Sequence, residues 1–189
     1  MPPSPAQVPP SPAQARIINA ALELFARHSV GGTSLQMIAD QIGVTKAAVY
    51  HQFKTKDEIV LAAAAAELGR LEAVLDEAEA QPTHKRARDA LLRGIIDLAV
   101  SGRRTTSIIL SDPVIIRFFS GNDAFSDVMH RLRLILIGDE AGNDARVRTA
   151  MVLAAISGAV MHPFVIDLDD ATLSAELLRL AQRLLLTPR

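Results

Sequence analysis

A short run of cationic and hydroxyl-bearing side chains near residue 50 has the chemistry of a surface that contacts phosphates and bases. Lys46, Tyr50 and Lys54 recur at four-residue spacing, so on a helix they share one stripe. Ala47 lies beside Lys46 and is small enough to let the helix approach closely. Such a helix, free of acidic residues, suits the major groove of DNA, where lysine can reach guanine acceptors. An ordinary solvated face explains the same stripe, and periodicity alone leaves the two interpretations nearly even.

Charge is unevenly distributed around this stripe. The whole chain of 189 residues carries 20 basic and 21 acidic side chains, so its net charge of −1 indicates no particular partner. From Ala13 to Lys56, however, five basic side chains face only two acidic ones, while the remainder is acidic. A small cationic segment on an acidic body favours a module that binds a polyanion.

Three short helices would be needed to position the stripe. Their apolar residues recur at helical spacing: Ile18, Leu22 and Phe25, then Leu35, Ile38 and Ile42, then Val49 and Phe53. Gly43 is placed to end the second helix in a left-handed conformation, and Thr45 to cap the third. The pattern predicts a helix-turn-helix in which Val44, Val49 and Phe53 pack against the first two helices.

Two helix starts could hold phosphate. Thr33–Gln36 and Thr55–Glu58 both have the spacing of capping boxes, in which a hydroxyl and a carboxylate or amide satisfy free backbone amides. The amides and positive dipole ends near Thr33, Ser34 and Lys56 would then lie on either side of the groove. Lys56 is expected to add a mobile charge at the second of them.

These segments together resemble a known family. The runs Arg16–Phe25, Gly32–Ala39 and Gly43–Glu58 are similar to the N-terminal signature of the TetR family of transcriptional regulators, and the resemblance covers roughly Gln14–Ala65. It includes the turn glycine, the Tyr-His-x-Phe end of the recognition helix and the Lys-Asp-Glu start of the next helix. The Ala47-Ala48 pair departs from the Gly-Thr of many members, and this affects the expected base preference.

The resemblance implies a sequence-specific DNA-binding regulator, a repressor that a small effector releases from its operator. It divides the chain into a Pro-rich tail (residues 1–12), a helix-turn-helix domain (13–56) and a ligand-sensing and dimerisation domain (57–189). A two-fold dimer would read a palindromic double-stranded operator. The expected DNA-binding residues are Thr33, Ser34, Thr45, Lys46, Ala47, Tyr50, His51, Lys54 and Lys56.

The remainder of the chain is also helical in pattern, and no segment shows sustained period-two alternation, so an all-α fold is predicted. A long fourth helix runs from Lys56 towards Ala80. Later helices are expected around His84–Val100, Arg104–Leu110, Pro113–Ser120, Ala124–Gly138, Asp144–His162 and Ala171–Leu186.

The last two of these helices are expected to form a homodimer interface. Ala150, Ala154 and Gly158 recur every four residues, so that another helix could approach closely. The final helix bears two leucine-rich stripes, more apolar surface than a single core contact needs. A four-helix interface with two helices from each subunit is therefore predicted. Burial of both helices inside a monomer is the alternative.

A ligand pocket is expected among the middle helices, mainly aliphatic because aromatic residues make up only 4% of the chain and tryptophan is absent. Such a pocket fits a flexible lipophilic effector. The candidate lining and anchoring residues are Ile96, Ile109, Arg117, Phe118, Phe125, Met129, His130 and His162.

The sequence offers few residues for catalysis or for metal binding. There is no cysteine, the five histidines are scattered, and no glycine-rich phosphate loop occurs, so no catalytic residue, metal or cofactor is predicted. Asp167, Asp169 and Asp170 could hold a hard cation, although a helix cap explains them more simply.

Neither a secretory signal nor a membrane protein is predicted, which favours the cytoplasm. The charge-free stretch Thr149–Ile166 is interpreted as a buried helix, not as a membrane span. Two other functions stay open: a helical ligand- or protein-binding module without operator binding, and an all-α enzyme whose site is assembled from distant residues. DNA affinity that falls with salt would separate both from a regulator.

Overall fold

A computed structural model of the chain describes residues 10–103, 123–138 and 142–185. Within these ranges the chain forms helices and no strand, which confirms the all-α fold. The helices are α1 (Pro12–Gly32), α2 (Leu35–Ile42), α3 (Lys46–Gln52), α4 (Lys56–Glu79), α5 (His84–Ser101), α6 (Asp123–Ile137), α7 (Asn143–Ala159) and α8 (Asp170–Leu185), with a short 3-10 helix at Pro163–Val165. The helices expected at Arg104–Leu110 and Pro113–Ser120 and most of the Pro-rich tail lie outside the described residues.

The described chain divides into two compact units. The N-terminal unit comprises residues 10–69, and the C-terminal unit comprises residues 70–103, 123–138 and 142–185. Helix α4 contributes to both. The division into domains at residue 56 stays a prediction. The compact N-terminal unit continues past that residue to Gly69.

The core of the N-terminal unit is built by α1, α2, α3 and the beginning of α4. Phe25, Ile38 and Val49 are buried at its centre, one from each of the first three helices. The predicted three-helix core is therefore confirmed. The beginning of α4 adds Ile59, Val60, Ala63 and Ala64 to the same core, which joins that helix firmly to the unit.

Local sequence determines how the short helices begin and end. Gly43 ends α2 in the left-handed region (φ 69°, ψ 38°), which glycine adopts without steric cost. The Thr45 hydroxyl accepts a hydrogen bond from the Ala48 amide at 3.2 Å and caps α3. Both predictions for the helix-turn-helix are confirmed. At the start of α1, Ser11 and Gln14 form a reciprocal capping box that the sequence interpretation missed.

The two predicted capping boxes were wrong in detail. Ser34, not Thr33, caps α2 and accepts from the Met37 amide at 3.2 Å, while the Gln36 side chain bonds to Asp40. At α4, Thr55 accepts from the Glu58 amide as expected, but the Glu58 carboxylate reaches one residue further back, to the Lys54 amide at 2.7 Å. Both helix starts are still capped.

Helices α5, α6, α7 and α8 pack together in the C-terminal unit, with α5 against α6 and α8, and α7 against α6 and α8. Leu91, Leu92 and Ile96 of α5 are fully buried there. Gly94 lets α5 approach the end of α4, because a Cβ atom at this position would lie 2.3 Å from a methyl carbon of Val74. That glycine is therefore a packing requirement.

Helix α7 ends at Ala159, three residues before the predicted end at His162. The cause is Pro163, since a proline disfavours the helical conformation in the residue before it. His162 is extended, and its ring Nδ1 accepts from the Phe164 amide at 3.3 Å to cap the 3-10 helix.

In the single chain the charge-free stretch is only partly buried, and its burial in a core or at an interface stays a prediction. Thr149, Val152 and Ile156 are buried, but Val147 and Met151 on another face of α7 are 58% and 63% exposed. No helix in the described ranges combines the length and the apolar character that crossing a bilayer needs.

Candidate nucleic-acid interface

Helix α3 presents the predicted stripe to solvent. Lys46, Ala47, Tyr50 and Lys54 are exposed, while Val49 between them is completely buried in the core of the N-terminal unit. The buried side chain fixes the rotation of the helix about its axis, so the stripe cannot turn inwards. The exposed face of α3 therefore carries one ammonium group, one phenol and a small residue for close approach. Lys54 follows the end of α3 at Gln52, so the second ammonium group lies beside the helix and not on it, unlike in the predicted stripe.

Tyr50 on this face forms a pair with Lys54 beside it. The Lys54 ammonium donates to the Tyr50 carbonyl oxygen at 2.9 Å and lies 4.6 Å from the centre of the Tyr50 ring. This is a cation–π contact, which restrains both long side chains without removing them from solvent. The Tyr50 hydroxyl at the far end of the ring is left to contact a phosphate or base.

The other polar candidates differ in whether their side chains already make hydrogen bonds within the protein. Ser34 and Thr45 are exposed, although each hydroxyl already accepts from a backbone amide at a helix start. His51 is exposed, and its ring Nδ1 lies 3.4 Å from the side-chain nitrogen Nε2 of Gln52. All three remain at the surface that α3 and the start of α2 form.

Thr33 does not belong to the exposed set. Its side chain is buried (2% exposed), and its hydroxyl donates to the Ser29 carbonyl oxygen at 2.8 Å. The Thr33 hydroxyl is therefore engaged within the protein, and contact between Thr33 and phosphate stays a prediction. The conformation of Thr33 is decided by the turn before α2, which residue spacing alone does not show.

Lys56 does not carry the mobile charge that the sequence suggested. Its ammonium donates to the carbonyl oxygens of Val30 at 2.7 Å and Gly31 at 3.2 Å, and the residue is half-buried. Those partners precede it by about 25 positions in sequence, so no local pattern could have revealed them. The predicted phosphate contact by Lys56 is not what this geometry supports.

The predicted effector residues are only partly described. Ile96 is buried, Phe125 and Met129 are half-buried, and His130 and His162 are exposed. Ile109, Arg117 and Phe118 lie outside the described residues. The ligand pocket consequently stays a prediction.

The described residues form a different cleft, of about 500 Å³, along α4 and α5 in the C-terminal unit. It is lined mostly by polar side chains and shares no residue with the predicted set: Glu77, Gln81, Arg86, Ala90, Arg93, Gly94 and Asp97. Its character is unlike the aliphatic pocket expected from composition.

An ion cluster joins α6 to the end of α4 in the C-terminal unit. Arg131 contacts both carboxylate oxygens of Glu79, at 2.9 and 2.7 Å, and Asp76 at 2.5 Å. The hydrogen bonds from Arg131 hold the pKa of Glu79 below its usual value and raise the pKa of Arg131. The sequence interpretation missed this cluster, because its members are more than 50 positions apart.

The aspartates before α8 are engaged in structural contacts. The Asp169 carboxylate accepts from both the amide and the hydroxyl of Thr172, which caps α8 and lowers the pKa of Asp169. Asp170 forms an ion pair with Arg103. Among the described residues, no three histidine or acidic side chains are grouped to hold a metal ion.

Helices α7 and α8 leave apolar surface uncovered. The small-residue stripe of Ala150, Ala154 and Gly158 is exposed on α7, beside Val147 and Met151. On α8, Leu173, Leu177 and Ala181 are buried, whereas Leu180 and Leu184 are about half exposed. We call this combined surface the α7–α8 face.

Comparison with known proteins identifies a family for the N-terminal segment. Residues 17–63 match the family model described as bacterial regulatory proteins, tetR family. These residues contain most of α1, all of α2 and α3, and the start of α4. This segment of the chain is similar to the TetR family.

Two comparisons extend the similarity beyond the matched segment. The uncharacterized HTH-type transcriptional regulator YezE of Bacillus subtilis (strain 168) is 29% identical over 115 residues. The match covers 56% of this chain and 59% of YezE, so the chain spans less than two thirds of that relative. The TetR-family regulator PfmR of Thermus thermophilus has the same fold, with a TM-score of 0.72, 20% identity and coverage of 92% and 96% of the two chains.

A second solved structure with a similar fold was determined with a ligand. It is the transcriptional regulator FadR of Bacillus subtilis in complex with stearoyl-CoA, with a TM-score of 0.66 and 19% identity. The similarity covers 93% of this chain and 99% of FadR. At this identity the likeness shows a shared fold.

Proposed function

We propose that this chain is a sequence-specific DNA-binding transcriptional regulator of the TetR family that represses from its operator. The observation that carries the proposal is the outward face of α3, fixed by buried Val49 within the segment that matches the family model. The proposed DNA-binding residues are the exposed members of the predicted set, Ser34, Thr45, Lys46, Ala47, Tyr50, His51 and Lys54. The protein would act in the cytoplasm, where double-stranded DNA is accessible to it.

Each side chain has a distinct part in this proposal. Lys46 begins α3 and is the candidate for base-edge contacts in the major groove, because lysine reaches the acceptors of guanine. Ala47 allows the helix backbone to approach the bases. Tyr50 and Lys54 would contact the phosphates, and these contacts determine affinity and register more than sequence preference.

We further propose that the protein works as a homodimer through the α7–α8 face. Exposure of large apolar side chains such as Met151 to water is unfavourable. In a two-fold dimer, the same surface of a second copy would cover them. The exposed Ala150, Ala154 and Gly158 would let the partner helices approach closely. A two-fold dimer then requires an operator with palindromic half-sites.

A small lipophilic effector is proposed to release the operator. The support is the stearoyl-CoA bound by the FadR neighbour together with the scarcity of aromatic residues in this chain. Ile96, Phe125 and Met129 are the described candidates for contact with it. Because α4 contributes to both units, an effector that prefers one position of α4 could bias DNA binding by about 5–150-fold.

A selection experiment tests the central proposal. Sheared genomic DNA from the source organism would be incubated with the purified protein at moderate salt, and the bound fragments would be sequenced. We expect enrichment of a palindromic motif and a steep loss of affinity as salt increases. Absence of any enriched motif, with the protein folded and dimeric, would contradict the regulator proposal and favour a binding module or an enzyme.

A further inference from the structure

The last turn of α1 is kinked and has an unusual backbone at Ser29. Ser29 lies at φ 63° and ψ 166°, a combination that residues other than glycine rarely adopt. Its hydroxyl oxygen accepts from the Gly32 amide at 3.2 Å, and its carbonyl oxygen accepts from the buried Thr33 hydroxyl at 2.8 Å. Such a conformation persists only where neighbouring groups hold it.

Lys56 is one of the groups that hold this turn. Its ammonium donates to the carbonyl oxygens of Val30 and Gly31, inside the turn, while Thr33 donates its amide to Val30. Carbonyl oxygens at a helix C-terminus carry partial negative charge and lack helical partners, so a cation is favoured beside them. Lys56 therefore closes the end of α1 from the first residue of α4.

The position of Lys56 is itself fixed by packing. Ile59 and Val60, three and four residues later, are buried in the core of the N-terminal unit. This packing fixes the backbone at Lys56, so its side chain starts from a set position within reach of the Val30 and Gly31 carbonyl oxygens. Ser34, the cap of α2, directly follows the turn that Lys56 holds.

We propose that Lys56 is a positioning residue for DNA binding: it holds the Ser29–Thr33 turn and so determines where α2 begins, without contacting phosphate. The proposal rests on the proposed function, because it concerns the geometry of the same helix-turn-helix. It assigns to Lys56 a contact within the protein where a lysine at a helix start would otherwise be read as a phosphate ligand.

Lys56→Met is the appropriate variant, because methionine keeps most of the alkyl chain and removes the ammonium. Lys54→Met is the matched control, the same substitution at a lysine that is proposed to contact phosphate. The affinity of each variant would be measured between about 50 and 200 mM KCl. The DNA is the duplex that the wild-type protein enriches from a random-sequence library. Hydrogen–deuterium exchange would follow the Gly32 and Thr33 amides in the protein without DNA.

Positioning and phosphate contact give different results. Loss of a phosphate contact reduces the slope of log affinity against log salt by about 0.9, and we expect this for Lys54→Met. For Lys56→Met we expect about tenfold weaker binding with an unchanged slope, faster exchange in the turn, and recovery of both by Lys56→Arg. A reduced slope with unchanged exchange in Lys56→Met would overturn the proposal.

Two further outcomes remain informative. If Lys56→Met unfolds, the exchange measurement on Lys56→Arg still tests the turn. A guanidinium can donate to the same carbonyl oxygens, so the Gly32 and Thr33 amides should stay protected from exchange. Loss of that protection in a folded Lys56→Arg protein would contradict the proposal. If the wild-type protein enriches no duplex, the proposed function fails, while faster exchange in Lys56→Met would still support the role of Lys56 in the turn.

Discussion

At the scale of single residues, α3 separates two kinds of lysine. Lys46 is exposed at the start of the helix, whereas Lys54 is held against the Tyr50 carbonyl and ring. Contacts to base edges carry sequence information, whereas contacts to phosphate fix the register and orientation of the protein on the duplex. The two positions should therefore contribute differently to sequence preference.

Lys46→Ala is expected to change which operator variants bind best, by about 1–3 kcal/mol at the base pair that Lys46 contacts. The measurement is competitive binding against a panel of single-base variants of the enriched operator. Lys85→Ala, the same change on an exposed lysine of α5, is the control and should leave the ranking intact. An unchanged ranking for Lys46→Ala would show that Lys46 reads no base.

Local signals and distant contacts differ in what could be predicted. Gly43 and Thr45 act on groups within four residues, so sequence spacing predicts their roles. Thr33 was misplaced because the neighbouring Ser34 is an equally good cap, and only the turn at Ser29 decides between them. The partners of Lys56 and Arg131 are distant in sequence, and they become neighbours only when the helices pack.

At the scale of helices, two glycines in similar helical positions face different surroundings. A Cβ atom at Gly94 of α5 would lie 2.3 Å from a Val74 methyl carbon, whereas nothing lies within 4 Å of one at Gly69 of α4. Neither has the left-handed backbone that itself requires glycine. The same substitution should thus have opposite effects at the two sites.

Gly94→Ala is expected to destabilise the protein by about 1–3 kcal/mol, because α5 must move away from α4. Gly69→Ala should stabilise it by up to about 1 kcal/mol, because alanine favours the helix. Chemical denaturation of both variants beside the wild type gives the comparison. Equal effects would mean that α5 adjusts freely and that Gly94 is not needed for packing.

At the scale of the whole molecule, the α7–α8 face determines the oligomeric state that operator recognition needs. Gly158 is exposed there, and nothing lies within 4 Å of a Cβ atom built on it, so a larger side chain fits the single chain. A defect in a Gly158 variant can consequently be assigned to association and not to folding.

Gly158→Leu is expected to prevent close approach of the partner helices and to give a folded monomer with weak operator binding. Light scattering at micromolar concentration measures the state, and circular dichroism confirms that the helices are retained. Gly69→Leu, equally exposed and unobstructed on α4, should remain dimeric. A monomeric wild type, or a dimeric Gly158→Leu, would contradict the proposed interface.

The hydrogen bonds of the Lys56 ammonium have a consequence for chemical reactivity. The chain has only four lysines, Lys46, Lys54, Lys56 and Lys85, so the product of an amine-reactive reagent can be followed at every site by mass spectrometry. An ammonium that donates to two carbonyl oxygens must give them up before its amine can attack, so Lys56 should label slowly both with and without DNA. Lys46 should react readily and become protected by operator, while Lys85 reacts alike in both states and supplies an internal standard.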